Sequence, residues 1–356
     1  MLQYKPDADR AMERIEAYWH HEILDRPAIQ VVASKPGGKP IPKKTHATLR
    51  DRWMDVEYQV ERADASIANT YWAGEMMPSF VPNLGPEVLT ASLGAELEFS
   101  EGTSWSIPML DDWGGVPKLK VQPDNPYTRA ILDMTRLACE VGKGKFLVGI
   151  TDLHPGGDLA ASLRDPQEFA VDLLTEPEQV SKLMDQLRPT FYDFYTLQYD
   201  IQAAAGQTIT TSWLPLYTDG KYYIPSCDFS CMVSQEMFQE FMLPEIVEEV
   251  EWLDRSIYHL DGPNALQHLD ALLAIEKLDA IQWVPGAGHE PMSDWMPTLQ
   301  KIQKAGKAMH LSIAASELDA FIEALHPEGV MLCMGAGSVE EADALVEKVK
   351  KWRSPV

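Results

Sequence analysis

Short apolar or β-branched runs recur along the chain, each followed by residues with helical periodicity, at 28–33, 96–99, 145–151, 208–213, 256–260, 280–285, 308–314 and 329–333. Runs of this kind, apolar on both faces and alternating with helices, predict the strands of a parallel sheet. Helix starts are written between them. Asp165-Pro166-Gln167-Glu168, Thr175-Glu176-Pro177-Glu178 and Ser338-Val339-Glu340-Glu341 each place a capping side chain three residues before a Glu, and the first two add an early proline. Eight strands favour a closed (β/α)8 TIM barrel over an open doubly wound sheet, with the first ~140 residues elaborated beyond what a minimal barrel needs. No linker, low-complexity tract or fixed-period repeat divides the sequence, so residues 1–356 are read as one α/β domain.

Composition narrows the function classes. The 356 residues carry 30 basic and 54 acidic side chains, a formal charge of −24. Such a field repels nucleic acid, anionic membranes and polyanionic substrates, and it suits neutral or cationic ligands. A solubilising acidic surface explains the same charge more simply. No apolar run reaches the ~18 residues that span a bilayer, and the N-terminus lacks the apolar stretch of a secretion signal, so a soluble cytoplasmic protein is expected. Four scattered cysteines, Cys139, Cys227, Cys231 and Cys333, read as reduced thiols.

Candidate chemistry gathers where strands are predicted to end. In Ser256-Ile257-Tyr258-His259-Leu260-Asp261-Gly262, a period of two puts Ile257, His259 and Asp261 on one face, with both polar groups at the C-terminal tip. Barrel enzymes keep their catalytic groups there; Asp261 as a turn cap is the structural alternative. Cys333 closes the last predicted strand before a Gly-containing loop, as a rim thiol or as a small buried hydrophobe. Asp228 follows the strand ending at Trp213, as a substrate ligand or a turn former. His154 and Asp158 lie in a second rim loop, suited to acid–base work or to holding that loop in shape. Cys227 and Cys231 lack the second ligand pair that a structural zinc site requires. Aromatic residues crowd the predicted loops, and Tyr71, Trp72, Trp105, Trp213 and Trp283 are candidates to wall a pocket for an apolar or cationic group.

The ordered set Cys227-Asp228 through Met232-Val233-Ser234-Gln235-Glu236-Met237-Phe238-Gln239-Glu240-Phe241-Met242-Leu243-Pro244, then His259-Leu260-Asp261-Gly262 and Gln282-Trp283-Val284-Pro285-Gly286, resembles the uroporphyrinogen decarboxylase superfamily. The opening Glu22-Ile23-Leu24-Asp25-Arg26-Pro27 fits it too. The resemblance implies a (β/α)8 barrel. The Arg-rich segment of the true decarboxylases, Met-Arg-Gln-Ala-Gly-Arg, is absent, and a −24 chain suits an octacarboxylate poorly. The closer branch is the zinc enzymes that move methyl groups to or from corrinoid proteins, whose metal is held by His-x-Cys and a distant Cys. On that resemblance His259 matches the His, Asp261 stands where the first Cys is, and Cys333 matches the distant Cys. Carboxylate for thiolate makes the site harder, although zinc accepts all three ligand types and keeps a fourth position open.

The expected function is therefore corrinoid-dependent methyl transfer or demethylation with metal assistance. Zinc would sit on His259, Asp261 and Cys333, a small neutral or cationic compound would donate the methyl group, and a cobalamin or corrinoid cofactor would be carried by a partner protein. The alternative is a metal-free decarboxylase or lyase in which His259, Asp261, His154 and Asp228 move protons. A binding protein without chemistry is the third reading.

Overall fold

In the computed structural model, which describes residues 2–353, the chain forms a mixed α/β fold around a largely parallel sheet. Seven strands make its continuous part: β1 (Ile29–Ser34), β2 (Thr70–Gly74), β3 (Tyr222–Tyr223), β4 (Arg255–Asp261), β5 (Ala280–Val284), β6 (Ala308–Ser312) and β7 (Val330–Gly335). Their spatial order is β2-β1-β7-β6-β5-β4-β3. Only β2, against β1, is antiparallel. β4 pairs with β5 in the register His259 to Gln282 and Asp261 to Val284.

Alternation along these strands separates two faces. Ala28, Ile257, Ala280, Ala308 and Met331 pack with Tyr217, Tyr222 and Leu147 in one buried cluster. Their neighbours in sequence, among them Ile29, Tyr258, Ile281, Met309 and Leu332, join the large core that includes the helical residues Leu299, Phe321 and Val349. Two residues beyond the first set, on the same face and nearer the C-terminal ends, stand Gln30, His259, Gln282, His310 and Cys333. A layer of polar side chains thus follows a layer of apolar ones. Two hydrogen bonds tie it together, His259 to Gln282 at 2.7 Å and His310 to Gln30 at 2.8 Å.

The expected strands at 28–33, 256–260, 280–285, 308–314 and 329–333 are found close to those bounds, and those at 145–151 and 208–213 as the shorter Leu147–Val148 and Ile209–Thr210. The run at 96–99 does not enter the sheet. Leu97–Phe99 pairs instead with Ser104–Ser106 as an antiparallel hairpin, and the parallel neighbour of Leu147–Val148 is Ser79–Phe80. The latter lies in a stretch of Met, Pro and Ser that carries no strand pattern. Backbone bonds continue from Gly149 to Phe80 at 2.8 Å and from Ile150 to Thr211 at 2.8 Å, but no unbroken ladder closes the sheet among the described residues.

Two of the three expected helix starts cap as written. Asp165 accepts from Gln167 and Glu168, and Ser338 from Glu341. Thr175 does not, because it ends the preceding helix and gives its hydroxyl to Val171 O at 3.1 Å. The next helix, Pro177–Ala204, starts from Glu176 without a side-chain cap.

Candidate active site

His259 is the penultimate strand residue but one, so its imidazole leaves the apolar layer and faces the C-terminal end of the sheet. Gln282 on the neighbouring strand holds its Nδ1 at 2.7 Å. With the amide oxygen toward the ring, as the hydrogen-bond network assigns it, Nδ1 keeps the proton and Nε2 is the free nitrogen. The Trp213 ring meets the imidazole edge-on, with centroids 5.2 Å apart and planes at 90°. Asp228 Oδ1 stands 3.9 Å from Nε2. Asp261, two residues along the strand, has a buried Oδ1 without a hydrogen-bond partner. Burial, helped by the Asp228 charge, raises the Asp261 carboxyl, while His259 opposes the rise.

Asp228 opens the short helix Asp228–Met232, and the nearby helix Gly156–Arg164 positions it. Asp158 in the first turn of that helix accepts from the backbone N–H of Asp228 at 3.0 Å and of Phe229 at 2.8 Å. Close approach is required: a Cβ on Gly157 would stand 2.9 Å from Cys227 Sγ and 3.0 Å from Met242 Cγ. Gly156 before it has φ +62°, where side chains other than glycine are strained.

His154 completes this side. Its Nε2 meets Asp152 Oδ2 at 3.3 Å and its Nδ1 faces Asp158 Oδ2 at 3.7 Å. Burial by itself would lower the imidazole, but Asp152, Asp158 and Asp228 together push it up to about 10. These carboxylates favour the protonated ring. Burial and the Asp228 charge raise Asp158 against the pull of His154.

Two sets of three side chains could therefore each hold a metal ion: Asp228 with His259 and Asp261, and Asp228 with His154 and Asp158. Within each set one ligand atom per residue lies within 4.8 Å of the others. Cys333 is in neither. It faces the same side from β7, beside Gln30 and Ser312 in register, and burial raises its thiol to about 11. Cys227 is buried and Cys231 exposed.

The aromatic candidates separate. Trp213 touches His259, and Trp283 borders a cavity of about 690 Å³ that also meets Asp261, Gln282, Val284 and Met292. The Trp283 ring itself is fully buried, packed on Trp295 at 5.0 Å. Tyr71 and Trp72 line a different cavity of about 840 Å³ with Lys5, Arg14 and Asp343, and Trp105 projects from the hairpin with its Nε1 on Glu98. The larger cavity has none of the His259 or His154 group in its lining. Gln282 and Asp152 were not singled out by the sequence. Alternation puts Gln282 on the functional face, but only pairing shows that it stands beside His259.

The fold and these groups define an α/β protein with an imidazole–carboxylate site at the C-terminal ends of its parallel strands. Among solved structures the chain is similar to a "methyltransferase from Methanosarcina mazei", at 11% identity and a TM-score of 0.61, over 95% of this chain and 97% of that one. At that identity the likeness is one of fold. No protein-family model and no curated protein matches the chain.

Proposed function

We propose that this chain is a methyltransferase of the uroporphyrinogen decarboxylase superfamily, built as a (β/α)8 barrel, that moves a methyl group between a small neutral or cationic compound and a corrinoid carried by a partner protein. The observation that carries the reading is the convergence of Asp228, His259 and Asp261 at the strand ends, with Nε2 of His259 free and Oδ1 of Asp261 unpartnered. An orphaned carboxylate oxygen beside a free imidazole nitrogen fits a divalent metal. His259, Asp261 and Asp228 would hold it. The set that the resemblance implies, with Cys333 in place of Asp228, is the competing assignment.

When bound, the metal supplies Lewis acidity toward the heteroatom that loses the methyl group. The chain's own residues do the rest. Gln282 fixes the tautomer and ring plane of His259, and Trp213 blocks its edge. The cavity bordered by Trp283, Val284 and Met292 receives an apolar body, with Asp261 and Glu290 giving it a negative rim. That charge favours a neutral or cationic donor.

Acid–base chemistry without metal is the second reading, carried by His154 among its carboxylates. An imidazolium held up to about 10 is a poor proton acceptor near neutral pH, so it does not suit a general base. The test is to purify the protein without chelator, measure its metal, and follow methylcobalamin formation from reduced cobalamin with a panel of methoxy and methylamino compounds. Stoichiometric metal, with turnover lost in His259→Ala, is expected. Full metal in Cys333→Ser supports Asp228 as the third ligand, and its loss supports Cys333. A metal-free protein, or donor turnover without cobalamin, overturns the proposal.

A further inference from the structure

Beside the His259 group stands a second one of the same chemistry, and Asp228 belongs to both. His154 offers its ring between Asp152 and Asp158, and Asp158 is fixed from behind by two backbone N–H donors. Side chains from three segments, the 152–158 turn, the Asp228 turn and strand β4, thus make one continuous arc.

Other observations point to a cation there. Asp152 Oδ1 is buried without a hydrogen-bond partner next to His154, as Asp261 Oδ1 is at the opposite end of the arc. Four carboxylates, Asp152, Asp158, Asp228 and Asp261, surround two imidazoles. A separate cavity of about 360 Å³ opens on His154, Asp158 and Asp228, and no lysine or arginine lines it. Pro86, Glu87, Ser162, Pro166, Phe229 and Met232 are among its other walls, so an entering ion keeps an approach of its own.

We propose that Asp228 bridges two divalent cations, one on His259 and Asp261, the other on His154 and Asp158. The first is the metal proposed above, on which this inference rests. The second ion is new, it displaces the proton that the carboxylates otherwise hold on His154, and all its ligands are nitrogen and oxygen, which suits manganese and zinc alike. Bridged pairs of this kind lie ~3.5–4 Å apart and clamp two oxygens of one ligand. A ligand reaching both cavities would be gripped at two points.

The chelator-stripped protein is titrated with Zn²⁺ by calorimetry and with Mn²⁺ by electron paramagnetic resonance. Two equivalents of zinc per chain and a spin-coupled manganese signal are expected. His154→Gln and His259→Gln should each bind a single equivalent without the coupled signal, and Asp228→Asn should weaken both sites at least about tenfold. Circular dichroism checks folding; Asp158→Asn, which keeps an acceptor for one of the Asp228 and Phe229 amides, replaces His154→Gln if that variant does not fold. A single equivalent, lost in His259→Gln and kept in His154→Gln, overturns the second ion and leaves the first. No zinc bound by the wild type overturns both. Two equivalents retained in both His154→Gln and Asp158→Asn also overturn the proposal, since the second ion would then sit elsewhere.

Discussion

His259 is useful to a metal or a substrate only if one ring nitrogen is free and the ring does not turn. Gln282 does both through one hydrogen bond, so its removal should act through His259 rather than through the fold. Gln282→Leu is expected to lower zinc affinity by about 10–100-fold, as the loss of an outer partner of a metal-binding histidine does. Gln282→Glu, which keeps an acceptor at Nδ1, should retain most of the affinity. Calorimetric titration of both variants checks this, and wild-type affinity in Gln282→Leu would refute the positioning role. At this scale the sequence already displayed His259 and Asp261, because polar residues at the end of an apolar strand break a pattern, and His154 and Asp228 as polar residues of the segments that follow strands. It could not display Gln282 as a partner, which depends on which strand lies alongside.

The start of β1 depends on one buried ion pair. Glu75, fully buried after β2, takes both guanidinium nitrogens of Arg26, at 2.7 and 2.8 Å, and also accepts from Ile29 N at 2.8 Å. Its own N–H returns to Ile29 O at 2.8 Å, so β1 and the exit from β2 are clasped at one point. Glu75→Ala would leave the buried Arg26 charge without its counter-ion, with only the Pro27 carbonyl to accept from it, and the Ile29 donor without a partner. Breaking such a pair costs about 3–5 kcal/mol, and denaturant unfolding should show a loss of that order. A loss under about 1 kcal/mol would mean that water reaches Arg26 in the variant. The Asp25-Arg26-Pro27 motif was visible in the sequence; its carboxylate partner, 49 positions away, was not.

Across the whole molecule, pH should act through buried carboxyls. Glu245 and Glu249, one turn apart on the helix Leu243–Trp252, are both buried. Burial raises both above the usual carboxyl range. Glu248 adds to this for Glu245 against the pull of Arg188, and Glu245 and Asp158 add to it for Glu249. A carboxyl raised in the folded state contributes stability that is complete below its unfolded value and is lost as pH climbs through its folded value. The melting temperature should therefore fall between about pH 5 and pH 8, and Glu245→Gln/Glu249→Gln should flatten that fall. Thermal scans of both proteins across that range decide it; equal slopes would assign the pH dependence to other groups.

The sequence by itself determined the alternation of apolar strands and capped helices, the acidic surface, and the polar residues that end strands, because these follow from local periodicity and side-chain chemistry. Tertiary structure decided the rest. It moved the second strand from 96–99 to Ser79–Phe80, because a run too short to show periodicity is placed by its neighbours rather than by its own pattern. It set Asp228 against His259 and left Cys333 outside both groups of ligands, since distances between segments far apart in the chain depend on strand order and register. It also sent Tyr71 and Trp72 to a separate cavity, because β2 lies at the edge of the sheet remote from β4 and His259.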